Sequence, residues 1–460
     1  MSGAGQSGVR QSGVGESGVR QSRADLPVPG FAPRRNTASV ERLLTAVPGG
    51  SRRTVAAVIA AVGIAAMSGC GQSQTSSGPS PEPSSGATAG ASPTVGLSGW
   101  QVADIEQPST VTEAPSSAPV FCSPCHAPQA DLLFAVARTS VGLVAVGIER
   151  PVPTLAAVWI SPDGRQWSRV HDFPAEDGTG ALAVAADGAR VVIVGADRRG
   201  AAAWSSTDGR TWTRAPRSPQ LEGPDGGTGM FAVTTWRGGF LAGGHRDDPA
   251  HAEAHAAVWH SADGLAWQRG ADDPPFAGAR ILGLAATDSA IVAVGGTDTS
   301  AGPPGLAWRS SDGDHWTRIS SPAVAAGVPQ AVTSRDGRFI AVGVNANDTG
   351  STVWSSPDGS TWTKIPNQES FQANGSPLRM AAVAPTESGL VAVGWQWDGG
   401  NGSAAVWQSA GGTDWRRVNA VPSFSGARMD GVASGPLGLV AVGTAGYPDN
   451  DQSTVWLGPG

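Results

Sequence analysis

The chain has 460 residues, rich in Gly (64) and Pro (35), with only 15% charged side chains and one lysine, Lys364. That composition suits turn-rich β structure and speaks against a helical protein. The formal net charge is -7, but the first 69 residues carry eight Arg against three acids. The remainder therefore holds 23 basic and 35 acidic residues, or -12, which excludes binding to phosphate backbones because these need a positive field.

In chain order, residues 1–50 open with QSGVR, QSGVG and ESGVR between Gln6 and Arg20, too polar to bury anything, and are expected to be a disordered, low-complexity N-terminus. Residues 51–70 are an export signal: Arg52 and Arg53 precede a 14-residue apolar stretch, shorter than the roughly 20 residues a membrane span needs. Its end, Met67-Ser68-Gly69-Cys70, resembles a lipoprotein signal box with Met67 in place of Leu. The resemblance implies that the Cys70 thiol is alkylated by a diacylglycerol and becomes the mature N-terminus. Two or more acyl chains there give stable anchoring to the bacterial cell membrane, on its extracytoplasmic side. An ordinary secretory signal is the alternative, and the Arg pair also admits a twin-arginine route. Residues 71–97, Ser/Gly/Pro/Thr-rich, are expected to be a disordered tether.

From residue 98 to 460 one unit repeats about every 49 residues, and 14 of the 17 tryptophans fall in its beat. An apolar residue and Trp are followed by a Ser-x-Asp-Gly turn and a second Trp, as in VWISPDGRQW from Val158, AWSSTDGRTW from Ala203 and VWHSADGLAW from Val258. Between copies runs an apolar strand ending in glycine, such as LVAVG from Leu143 and FIAVG from Phe339. Four strand-length pieces per unit predict one propeller blade each, and the Asp-Gly pair predicts a two-residue reverse turn with positive φ at both centres. Seven apolar-Gly strands are present but only six complete Trp hairpins. The missing fourth strand is found at the front of the mature chain as GWQVADI from Gly99, with Trp100 as the second Trp. The predicted fold is therefore an all-β, seven-bladed β-propeller closed by an N-terminal strand that completes the last blade, with no exposed sheet edge. A monomer is expected.

These turns resemble the Asp-box, or bacterial-neuraminidase, repeat family, whose usual form is Ser-x-Asp-x-Gly-x-Thr-Trp. Here Asp and Gly are adjacent, and Gly411 replaces the Asp of the sixth copy. The resemblance implies a structural role for Asp163, Asp208, Asp263, Asp312 and Asp358, away from any catalytic face. It also invites comparison with sialidases, which bind a carboxylate through an arginine triad and use a Tyr nucleophile. This chain has one tyrosine, Tyr447, and lacks the Phe-Arg-Ile-Pro arm that supplies the first arginine, so no catalytic residue is assigned.

Cys122-Ser-Pro-Cys125-His126 matches the c-type haem attachment motif. With Cys70 acylated, however, these two cysteines are the ones left in an oxidising compartment, and a Cys122–Cys125 disulfide is expected, with an electron-transfer haem site as the alternative. The polar segment His245, Arg246, Asp247, Asp248, His251, Glu253 and His255 has ligands suited to Zn²⁺, although the expectation is a solvated loop without metal or cofactor. The corresponding loops of later repeats carry Trp395, Trp397 and Asp398, then Tyr447. Together with His245, Arg246 and Asp247 these are the predicted ligand-binding residues on one rim, suited to a glycan, peptide or protein partner. The sequence thus predicts an envelope lipoprotein that binds or scaffolds, with a sialidase-like hydrolase as the other class.

Overall fold

The computed structural model describes residues 99–107, 131–149, 154–188, 190–223, 227–247, 254–270, 274–297, 304–372, 376–397, 402–446 and 452–460. They form seven small sheets in a ring, a seven-bladed β-propeller. The innermost strands are Leu132–Thr139, Gly180–Asp187, Thr228–Trp236, Ala279–Ala286, Gly327–Arg335, Leu378–Pro385 and Ala427–Gly435 in blades 1 to 7. Each pairs outward with a second, third and fourth strand, so every blade has a turn end, where the Ser-x-Asp-Gly turns lie, and a rim end, where blades connect.

Closure uses both chain ends. Gln101–Val102 is the fourth strand of blade 7, paired antiparallel with Gln452–Gly458 (Gln101↔Leu457, Val102↔Trp456). The expected strand is shorter than its sequence, because the chain then crosses to blade 1. There Asp104–Ile105 runs parallel to Gln166–Arg169 as a fifth strand. Glu106 reinforces this crossing: its carboxylate accepts the Arg169 N–H (3.0 Å), which is the main reason its pKa is lowered, and its carbonyl accepts the Trp159 indole N–H (3.0 Å). At the hub, Gly431 of blade 7 lies so close to blade 1 that a Cβ would come within 2.9 Å of the Ala135 Cα.

The two tryptophans of each unit have different tasks. The first (Trp159, Trp204, Trp259, Trp308, Trp354, Trp407, Trp456) is fully buried, and its indole N–H donates to a carbonyl of the connection entering its own blade, for example Trp204 to Pro174 (3.0 Å) and Trp308 to Pro275 (2.8 Å). In blades 1 to 6 the second donates to the carbonyl of the turn glycine three residues earlier, as Trp316 does to Gly313 (2.9 Å). Burial of ~150–250 Å² per indole amounts to roughly 4–6 kcal/mol of gross transfer energy each.

The turn differs from the predicted two-residue reverse turn. Only the glycine has positive φ (Gly164, Gly209, Gly264, Gly313, Gly359, Gly412), and the Asp does not. The serine hydroxyl accepts the glycine N–H, and the Asp carboxylate accepts the next two N–H groups: Asp358 Oδ1 takes those of Ser360 and Thr361, both at 2.8 Å. The Asp thus caps a longer bend instead of adopting left-handed backbone itself.

Candidate functional site

The glycine that ends each apolar strand has a common cause. Opposite it, every inner strand carries a β-bulge, with the register shifting between Leu133 and Ala135, Met380 and Ala382, Met429 and Gly431, and so on. The bulge drives an inner-strand carbonyl against the glycine Cα: Arg280 on Gly295, Arg379 on Gly394 and Arg428 on Gly443, where a Cβ would clash with main chain. The bulge also sets the composition of the rim end of the hub, because the bulged residue and the residue two before it hold the same register positions in every blade around the ring.

At those positions blades 1 to 3 contribute Leu132 and Phe134, Gly180 and Leu182, and Gly229 and Phe231, an apolar arc. Blades 4 to 7 bring Arg280 with Leu282, then Val328 with Gln330, then Arg379 with Ala381, then Arg428 with Asp430. Arg379 pairs with Asp348, and its guanidinium lies 5.1 Å from the centre of the Trp395 ring. Burial pushes the Asp348 carboxyl up, only partly opposed by Arg379, and burial likewise pulls the Arg379 guanidinium down. Arg428 Nε donates to Asp430 Oδ2 at 2.8 Å. Gln330 Nε2, Asp348 Oδ1 and Thr444 Oγ1, the last on the strand paired with Arg428, are buried without a hydrogen-bond partner among the described residues. Such groups are costly unless a ligand or water satisfies them.

The predicted ligand residues divide accordingly. Trp395 is half-buried and sits cross-strand from Arg379, within the charged arc. Trp397 is half-buried, its backbone N–H bonded to the carbonyl of Pro377 (2.9 Å), the residue before the innermost strand of blade 6. His245, Arg246 and Asp247 do not form a solvated loop; they end the strand Gly239–Asp247. His245 is buried, stacked on Phe231 (centroids 5.0 Å apart), with Nε2 3.5 Å from Asp247 Oδ1. Its pKa falls well below the ordinary imidazole value, through burial first and the Arg280 charge second. Among the described residues no three His, Cys, Asp or Glu side chains come together as a metal site. Asp398, Tyr447, Asp248, His251, Glu253, Cys70, Cys122, Cys125 and His126 lie outside the described residues.

The three arginines were missed in the sequence although a signal was available. Each stands 15 residues before the glycine of its own apolar strand, Arg280 before Gly295, Arg379 before Gly394 and Arg428 before Gly443. Superposing the repeats on that glycine, or on the first tryptophan 28 residues after each arginine, brings them into one column.

No protein-family model and no curated protein matches the chain. Solved structures similar to it include YCF48 bound to D1 peptide (13% identity, TM-score 0.48, covering 79% of this chain and 98% of that one). A Trypanosoma rangeli sialidase in complex with sialic acid is similar at 14% identity and TM-score 0.40, and the match covers 72% of this chain and about half, 54%, of the sialidase. A phage phi92 endosialidase is similar at 13% identity and TM-score 0.41, covering 72% and 68% of the two chains.

Proposed function

We propose that this protein is an extracytoplasmic lipoprotein, anchored through acylated Cys70, whose propeller binds a glycan, peptide or protein partner at the rim end of its hub. The observation that carries the binding reading is the two-sided mouth: an apolar arc from blades 1 to 3 facing a charged arc from blades 4 to 7 that holds unsatisfied buried polar groups. A ligand with an apolar portion and several hydrogen-bonding groups satisfies both arcs, and arginine suits a carboxylate on it. The fourth strand of blade 7 begins at the turn end, so the tether that precedes it joins the propeller opposite the mouth. Anchoring there leaves the mouth directed away from the membrane.

A glycan, cell-wall-fragment and peptide screen on the full chain tests the reading. Gln330→Leu and Trp395→Ala should each weaken a hit roughly tenfold, the scale of one lost buried hydrogen bond or stacking contact. Unchanged affinity in both variants removes the mouth as the site. Labelling with a palmitate analogue tests the anchor, and Cys70→Ser should abolish incorporation.

The second reading is a sialidase-like hydrolase, favoured by one observation, the placement of Arg280, Arg379 and Arg428 at one register position of the hub. Hydrolysis of a fluorogenic sialoside that Tyr447→Phe abolishes would establish it over simple binding.

A further inference from the structure

The turn glycines of blades 1 to 6 sit in grooves built from equivalent side chains. One wall is the first residue of the blade's own apolar-Gly run; the preceding blade adds the second residue of its run and the residue after its first Trp. Gly164 of blade 1 meets Leu143, Val440 and Leu457 in those three roles, and Gly359 of blade 5 meets Phe339, Val292 and Arg309. Blade 7 carries no such turn, because its third and fourth strands are not consecutive in the chain. Its three equivalent side chains, Leu439, Val391 and Gln408, instead line a cavity of about 310 Å³.

The hydrogen-bond donors of the six grooves have counterparts at this cavity as well. In blades 1 to 6 the second Trp donates its indole N–H to the carbonyl of the turn glycine, at 2.7–3.0 Å. In two grooves the residue after the first Trp of the preceding blade donates to the next carbonyl back, that of the Asp: Ser205 Oγ to Asp263 (3.1 Å) and Arg309 Nε to Asp358 (2.9 Å). Gln408 stands in the same column as Ser205 and Arg309. Trp100 stands in the column of the second Trp, meeting Phe424 edge-on at 5.7 Å as Trp212 meets Phe173 at 5.7 Å in blade 2. Its Nε1, alone among these seven indoles, is buried without a partner among the described residues, and such a donor is costly until an acceptor arrives.

We propose that this cavity is a second binding site, which takes a glycine-containing peptide turn of the Asp-Gly kind from another protein. The glycine sits between Val391 and Leu439, its carbonyl accepts the Trp100 indole N–H, and the carbonyl before it accepts the Gln408 side-chain amide. Recognition is thus of main chain, as in the six grooves where the same walls and donors hold a peptide covalently. Glycine is selected for the reason it is found there: all six turn glycines have positive φ, and at Gly164, Gly264, Gly359 and Gly412 a Cβ would stand 2.3–2.9 Å from a wall side chain. The site lies at the turn end, opposite the mouth, and does not depend on what the mouth binds.

Titration of the labelled full chain with acetyl-Ser-Pro-Asp-Gly-Arg-amide, the sequence of Ser161–Arg165, followed by NMR, tests the assignment. The Trp100 indole proton, assigned with Trp100→Phe, should shift saturably and exchange roughly tenfold more slowly when the peptide is bound. The same peptide with L-alanine in place of glycine should bind at least roughly tenfold more weakly. Gln408→Leu, which keeps the wall and removes the donor, should weaken the glycine peptide roughly fivefold, and Gln408→Arg should restore it, since arginine serves in that column in blade 4. Equal affinity for the two peptides, or no loss in Gln408→Leu, overturns the proposal. So does affinity that is lost in Gln330→Leu instead, which would place the peptide in the mouth. An indole already as slow as the other six without peptide, and indifferent to it, would mean that the seat is filled from within the chain. A shift that follows protein concentration alone would mean that a second copy fills it. Either result also overturns the proposal.

Discussion

At the turn end of the ring, six turns repeat the same bonds: Ser161, Ser206, Ser261, Ser310, Ser356 and Ser409 each accept the N–H of the glycine three residues on, at 2.8–2.9 Å. At the rim end, one register position holds Leu132, Gly180, Gly229, Arg280, Val328, Arg379 and Arg428 from blade to blade. The backbone repeats at both ends, bulge included, while side chains repeat only at the turn end. A ring must satisfy seven equivalent blade contacts to close, and the turns and their tryptophans supply them. The mouth is released from that requirement, so its side chains can differ and can serve recognition.

If that division holds, tryptophans on its two sides should differ most in stability. Trp308→Ala removes a fully buried indole that ties the connection at Pro275 to blade 4, and should cost about 3–5 kcal/mol in denaturant unfolding. Trp395→Ala, half-buried against Arg379, should cost about 1 kcal/mol, the size of a ring-cation contact. Equal losses would mean that the mouth is as much a part of the frame as the turns are.

Acid should act on the two ends with opposite sign. Backbone N–H groups, that of Thr211 first, hold the Asp208 carboxyl down to about 2. Its contribution is therefore present above the ordinary carboxylate range and is lost as pH falls from about 4 towards 2. Asp348 is pushed the other way by burial, so it opposes folding once pH rises past its unfolded pKa, and protonation relieves that. Denaturant midpoints followed from pH 7 to 2 should show Asp208→Asn removing part of the loss below pH 4. Asp348→Asn, tolerated at that residue's φ of 56°, should remove a gain that begins as pH falls towards 4. Parallel curves for wild type and both variants would overturn the contrast.

The same division explains what the sequence made legible. Blade number, the split last blade and the tryptophan roles could be read because each rests on residues that recur at a fixed spacing, and recurrence is what closure demands. The turn geometry was misread because Asp-Gly in isolation favours a two-residue bend, whereas the serine two residues before each Asp and the tryptophan four after it impose a longer one held by Ser Oγ. The mouth was half legible. Trp395 stands out as an aromatic outside the beat, but Arg280, Arg379 and Arg428 each look solvent-facing until the bulge is known to put them at one register position. His245 looked like a loop residue because nothing local indicates that its strand runs three residues past Gly244 to Asp247.

The smallest expected effect tests whether the turn end is a module that can be repaired. The sixth turn keeps its serine, with Ser409 Oγ accepting the Gly412 N–H at 2.8 Å, and its indole bond, but has Gly411 where five others have Asp. Gly411 is not left-handed, and a Cβ there meets nothing within 4 Å, so Gly411→Asp adds no strain. It restores an acceptor for the next two N–H groups and reduces the freedom of the unfolded chain, which together should raise stability by about 0.5–1 kcal/mol. A rise in the unfolding midpoint that is itself lost near pH 2 would show the new carboxylate working as Asp208 does. A variant no more stable than wild type would mean that the Asp serves the other five turns through something beyond its N–H bonds.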